Sequence, residues 1–246
     1  MEKIIPDRFC FLSGSALKLI AIITMFIDHI GYALVENGIL IPAIHQGINI
    51  WNEPGFYHNI YILDRVLRGI GRIAFPIFCF LLIEGFIHTS NRLKYTLRLF
   101  AFSIFSEIPF DLAFNETFFE WSYQNVFFTL GIGLLVIWGW EYFERKIYIQ
   151  LPILAIGCAA AHYVFQCDYG YRGVILIFLL YLFRHYKILQ TTAGCASLYW
   201  EPWAMFAFIP INFYNGKRGF SMKYFFYIFY PAHLLILYLA RILIFQ

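Results

Sequence analysis

The stretch Lys18-Leu-Ile-Ala-Ile-Ile-Thr-Met-Phe-Ile-Asp28-His29 sets ionisable groups inside a run apolar enough to cross a bilayer. Charge at the centre of a membrane costs about 2.5 kcal/mol or more per group on insertion scales, so Asp28 and His29 require a partner or a chemical role. Lys18 and His29 are eleven residues apart. At about 3.6 residues per turn they share one helix face, separated by about 16 Å along the axis. A cation therefore lies near one membrane surface and an imidazole deep below it. The pattern reads as a site that binds an anionic ligand at the surface while the ligand's reactive end reaches the imidazole. Neighbours on a helix diverge by about 100°, so Asp28 does not itself orient His29 and is expected to meet Arg72 or another helix's donor.

Composition fixes the class. Hydrophobic residues make up 61% of the 246, charged residues 13%, and the mean hydropathy is +0.67. A soluble domain is roughly half apolar and about a quarter charged, so the chain reads as an all-α polytopic membrane protein, a single transmembrane domain over residues 1–246. The Phe, Tyr and Trp content of 22% suits helices that pack through rings and anchor at both interfaces. A net charge of +3, scattered over short loops, makes no case for nucleic acid. Cys10, Cys79, Cys158, Cys167 and Cys195 are odd in number, lack a CxxC pairing and sit mostly in apolar runs, which argues against a disulfide framework or a metal site.

A span needs about 20 apolar residues. On that requirement helices are expected over residues 15–35, 67–86, 95–114, 126–143, 147–165, 170–183 and 224–245. Residues 39–61 mix Pro42, Gly47 and Pro54 with polar clusters, as a lid or interfacial loop would. Residues 189–214 are apolar but interrupted at Trp200-Glu201-Pro202, giving one broken span or two short ones folded as a re-entrant hairpin. The expected bundle has about eight to nine transmembrane helices. Arg92, Lys94 and Arg98, then Arg145 and Lys146, then Arg184 and Lys187 follow alternate spans, which makes these loops and the N-terminus cytoplasmic by the positive-inside rule. A hairpin at 189–214 keeps Lys217, Arg218 and Lys223 on that side as well.

Other intramembrane polar residues each carry a structural and a functional reading. Arg65, Arg68 and Arg72 share one face, either as a ring neutralising loop acids or, for the deepest, Arg72, as part of a site. Glu84 and His88, four residues apart, form a helix-surface pair or belong to the site. Glu107 and Asp111 flank Pro109, whose kink frees backbone groups that polar side chains could answer. His233 lies two residues past Pro231, as a kink partner or a substrate contact.

These residues fall in motifs that resemble the TraX family. The resemblance is carried by Leu17-Lys18 through Ile27-Asp28-His29-Ile30-Gly31, Arg68-Gly-Ile-Gly-Arg72-Ile-Ala-Phe-Pro76, Glu84-Gly85-Phe86-Ile-His88-Thr89 and Ser106-Glu107-Ile-Pro109-Phe-Asp111. Asn125-Val-Phe-Phe-Thr129, Tyr214-Asn215-Gly216-Lys217-Arg218-Gly219 and Tyr230-Pro231-Ala-His233 continue it in order over most of the chain. The family is named for the enzyme that N-acetylates pilin in conjugation and is similar to the wider superfamily of transmembrane acyltransferases. Those share a Lys or Arg, ten intervening residues and a His on the first span, which Lys18 and His29 match. The resemblance implies acyl transfer from cytosolic acetyl-CoA in the cell membrane; it does not carry over the acceptor, an amine or hydroxyl of a pilin, peptide or glycan. Asn215-Gly-Lys217-Arg218-Gly219 would then offer backbone N–H groups and two cations to the coenzyme's phosphates, with Lys18 beside them, although a basic loop after a span is also a plain topology signal.

On that reading His29 acts as general base on the acceptor, with Asp28 tuning it directly or through a relay, or else carries the acyl group itself. A rival class is the proton-coupled transporter, which also carries buried Asp, Glu, His and Arg on broken helices. No inverted repeat is visible in the sequence.

Overall fold

The computed structural model describes residues 4, 6–51, 54–220 and 223–245. Among them every extended element is helical, and the chain is an all-α membrane protein. Among the described residues four helices are long and apolar enough to cross a membrane, Gly14–His45, Phe56–His88, Ile147–Val164 and Tyr227–Phe245, with shorter apolar helices at Val126–Tyr142 and Gly170–Leu182.

Helix α1 (Gly14–Ile30) starts where Ser13 Oγ accepts the backbone N–H of Ala16, an N-cap that answers one of the first turn's orphan donors. It does not stop at residue 35. A π-helical stretch, Gly31–Leu40, carries it into α2 (Ile41–His45), so the expected lid over residues 39–61 is in part a helical continuation. Pro42 misled the reading: it stands where the π-helical stretch passes into α2, and the helix runs through it. Residues 46–55 form the loop, of which 52 and 53 lie outside the described residues.

Helix α3 (Phe56–Gly71) and α4 (Ala74–His88) form the second long segment, beginning well before the expected residue 67. The break between them falls at Arg72 and Ile73 because Pro76 cannot donate to the Arg72 carbonyl and its ring crowds it. Helix α3 runs antiparallel to α1 and close to it: a Cβ at Gly71 would overlap Asp28, and one at Gly31 would lie 3.1 Å from Leu67 Cβ. Two glycines thus let the backbones approach where the polar residues meet.

Helices α5 (Arg92–Asn115), α6 (Val126–Tyr142), α7 (Ile147–Ala159) with a π turn to Val164, and α8 (Gly170–Leu182) follow nearly as expected. The interrupted segment is a helical hairpin: α9 (Lys187–Ser197) packs back along α8, the chain turns at residues 198–201, and a 3-10 turn (Pro202–Ala207) leads into α10 (Phe208–Asn212). Helix α11 (Lys223–Phe245) packs against α5. There Arg241, 6% exposed, donates to the Ala113 and Leu112 carbonyls at 3.1 and 3.4 Å, satisfying orphan acceptors at the end of α5. The main core joins α1, α4, α6, α8 and the hairpin, with Leu17, Ile77, Leu134, Leu176 and Ile211 almost fully enclosed.

Candidate functional site

Two cavities lie along α1. The outer one, of about 480 Å³, opens near the start of the helix and is lined by Lys18, Glu84, His88, Arg98, Tyr214 and Arg218 among others. The inner one, of about 150 Å³, holds Asp28, His29, Arg68, Arg72, Asp168 and Tyr169. The spacing of Lys18 and His29 is thus realised as one residue in each cavity.

His29 is 8% exposed and meets His233, 3% exposed, from α11: His29 Nδ1 lies 2.6 Å from His233 Nε2, with the ring planes 1° from parallel. His233 Nδ1 lies 2.7 Å from the Phe229 carbonyl oxygen. That carbonyl can only accept, so His233 Nδ1 carries the proton and its Nε2 presents a lone pair. His29 Nδ1–H donates to it. The tautomer chain leaves His29 Nε2 as a lone pair with no hydrogen in the way, as a proton acceptor requires. Phe114 and Tyr230 stand edge-on to His29 and Phe229 stacks on His233, enclosing the pair in aromatic rings.

The charges around the chamber are paired. Arg68 Nη1 donates to Asp28 Oδ2 at 2.6 Å, and the guanidinium also lies over the Tyr32 ring. Asp28's partner is therefore on another helix, but it is Arg68 and not Arg72. Arg72 Nε lies 3.4 Å from Glu201 Oε2 at the tip of the hairpin and its Nη1 3.5 Å from the Tyr169 hydroxyl. Tyr123 donates to Asp168 Oδ1 at 2.8 Å, and Thr129 donates to the Asp168 carbonyl. In that loop burial raises the Asp168 carboxyl above the usual carboxylate range, partly offset by the Tyr123 hydrogen bond and by Arg72 and Arg68. Arg65 is exposed and stands apart from the chamber.

In the outer cavity His88 Nδ1–H donates to the Glu84 carbonyl at 2.8 Å, so this pair is joined through the backbone. The phenol of Tyr214 hydrogen-bonds Glu84 and is raised by burial and by that carboxylate. The tract at residues 215–219 wraps the start of α1: the carbonyls of Lys217 and Arg218 accept from Gly14 and Ser15 N–H at 2.8 and 3.0 Å. Asn215 Oδ1 accepts from Lys217 N–H at 2.9 Å, closing the turn, while Gly216 and Gly219 both adopt φ +75°. Arg218 lines the cavity; Lys217 and Asn215 are absent from its lining, and the Lys217 side chain is exposed.

Glu107 and Asp111 line neither cavity. Glu107 accepts from Asn125, the N-cap of α6, and Asp111 accepts from Glu120 N–H at 2.8 Å and from Asn115 at 3.2 Å, tying down the loop between α5 and α6. Sequence reasoning passed over Glu201, Asp168 and Tyr169 as chamber residues. Glu201 carried a usable signal, an acid inside an apolar segment; the loop residues carried none. Among the described residues no group of His, Cys, Asp and Glu could hold a metal ion, and all five cysteines are free thiols.

Fold and site define an all-α membrane protein with a buried histidine pair beside one cavity and a basic cavity nearer the start of the same helix. A sequence profile of the TraX protein family matches residues 13–241, and the chain belongs to that family. It is 28% identical over 260 residues, 93% of this chain and 96% of the relative, to a protein of Dichelobacter nodosus described as probable fimbrial assembly protein FimC, serogroup H1. No solved structure matches the chain.

Proposed function

We propose that the protein is a membrane acyltransferase that moves an acetyl group from acetyl-CoA to an amine or hydroxyl of an envelope acceptor. The observation that carries this reading is the His29–His233 pair, which leaves one nitrogen, His29 Nε2, unprotonated at the wall of the inner cavity. Family membership supports it. The name of the Dichelobacter relative points to a fimbrial subunit as acceptor.

The residues of the outer cavity fit an anionic donor: Lys18, Arg98 and Arg218 line it, and Arg98 Nε is buried with no partner among the described groups. Acetyl-CoA would enter there, from the cytoplasm if the N-terminus lies on that side. His29 Nε2 takes the proton from the acceptor's N–H or O–H as that atom attacks the thioester carbonyl. The C–S bond breaks, and the thiolate leaves to be protonated. His233 accepts the His29 Nδ1 hydrogen bond throughout and holds the ring in one tautomer.

Purified protein in detergent, given labelled acetyl-CoA and fimbrial subunit or a short amine acceptor, tests the reading. The wild type should bind the donor and release coenzyme A with acceptor-dependent labelling. His29→Asn keeps size and hydrogen-bonding capacity but not basicity, and should bind acetyl-CoA while turnover falls about a hundredfold or more. A folded His29→Asn protein that acetylates at the wild-type rate rejects the mechanism. Proton flux in vesicles without any acetyl-CoA turnover would favour a transporter.

A further inference from the structure

The two cavities meet at one side chain. Among the described residues Phe78 is the sole member common to both linings. On α4 it is the middle of a stripe at helical spacing: Phe75 faces the inner chamber, Phe78 both, and Leu81 and Leu82 the outer cavity. The facing helix α6 divides at the same level, with Val126 on the inner wall and Phe127 on the outer. Ile77 and Cys79, on either side of Phe78 in the chain, are fully buried, whereas Phe78 is only half-buried: it packs against the edges of two core clusters and also borders both cavities. Phe78 therefore borders both the space at Lys18 and the space at His29.

We propose that Phe78 is the partition between the donor cavity and the histidine chamber, and that its ring limits the transferred group to a short acyl chain. The inference rests on the acyl-transfer reading above. The chamber beyond Phe78 has about 150 Å³ against about 480 Å³ outside, and it must also receive the reacting atom of the acceptor. Its walls include the rings of Phe75, Phe110, Phe114 and Tyr230, so a longer chain meets rings beyond Phe78. An acetyl group needs only the ring's edge to yield; each further methylene must displace the ring or remain behind it.

Two measurements test the two halves of this claim. Acetyl-, butanoyl- and hexanoyl-CoA are compared as donors for wild type, Phe78→Ala and Phe78→Leu, each first shown to unfold cooperatively and to bind coenzyme A. The wild type should prefer acetyl, and Phe78→Ala should raise the butanoyl-to-acetyl ratio of kcat/KM by about tenfold or more, since one methylene in a pocket changes discrimination about 10–200-fold. Phe78→Leu should fall between. A wild type indifferent to chain length, or an unchanged ratio in the folded variants, overturns the length limit. The partition is read without turnover: Met25→Cys lines the inner chamber, and its reaction with a small methanethiosulfonate, followed by mass spectrometry of that peptide, should quicken about tenfold when Phe78 is also Ala. An unchanged rate overturns the partition. A wild type that transfers no acyl group from any donor, with the Met25→Cys rate still responding to Phe78, sinks the acyl-transfer reading and the length limit with it, while the dividing wall stands.

Discussion

The outer and inner cavities are both polar and both built on α1, yet they treat charge in opposite ways. Outside, the cations Lys18, Arg98 and Arg218 line a roomy cleft in which Glu84 is the one carboxylate among the described residues, and Arg98 Nε is buried with no partner among the described groups. Inside, Arg68 is matched by Asp28, Arg72 by Glu201, and Asp168 by Tyr123. A surplus of one sign near a membrane surface attracts a charged ligand and releases it again. In a smaller chamber among buried polar groups the same surplus would be costly, so each guanidinium there meets a carboxylate and Asp168 takes a hydrogen bond from Tyr123.

If that contrast is right, the largest effect belongs to breaking an inner pair. Arg68→Met leaves Asp28 buried without its partner, and its Oδ1 already has none among the described groups. Loss of one member of a buried pair costs about 3–5 kcal/mol. Thermal unfolding in detergent should show the single variant severely destabilised and Arg68→Met with Asp28→Leu largely restored. A single variant as stable as the wild type would mean that water or a mobile Asp28 relieves the charge, and the pairing of Asp28 with Arg68 would not be what steadies the chamber.

Next in size is the histidine relay. His233→Leu removes the acceptor that holds His29 Nδ1–H, so the His29 ring is free to present its other tautomer. Turnover should fall about ten- to a hundredfold with the KM for acetyl-CoA unchanged, because the loss falls on chemistry and not on donor binding. A change in KM alone would make His233 a packing residue of the donor path.

How much of this was legible beforehand varies with how local each feature is. The Lys18–His29 spacing is a property of one helix, and helical periodicity gave it directly. The interruption at Trp200-Glu201-Pro202 was likewise visible as polar and Pro residues in an apolar run. Partners are another matter. His29 and His233 are 204 residues apart, and a helix wheel shows which face His233 occupies but not what lies across from it. Asp28 faced the same limit: Arg68 and Arg72 are one turn apart on the same face, and only the close approach at Gly31 and Gly71 decides in favour of Arg68. The misjudged lid shows the reverse failure. Pro42 and Gly47 are sound turn signals, but the helix runs through Pro42 at the junction of its π-helical and α-helical stretches and ends only before Gly47.

The smallest effects separate two adjacent cations that sequence alone treats alike. Both are exposed, but Arg218 lines the outer cavity and Lys217, its neighbour in the chain, is absent from the lining. Both residues also brace α1, but through backbone carbonyls that substitution leaves in place. Arg218→Ala should therefore raise the KM for acetyl-CoA by several-fold to about tenfold with little change in kcat, as expected for a contact made equally in ground and transition states. The effect should shrink as ionic strength rises, because a cation near the mouth is screened over about 10 Å at 0.1 M salt. Lys217→Ala should shift KM less than about twofold, through long-range attraction alone. Equal losses from the two variants would show that the loop moves to bring both side chains onto the donor, and the cleft seen here would be its open form.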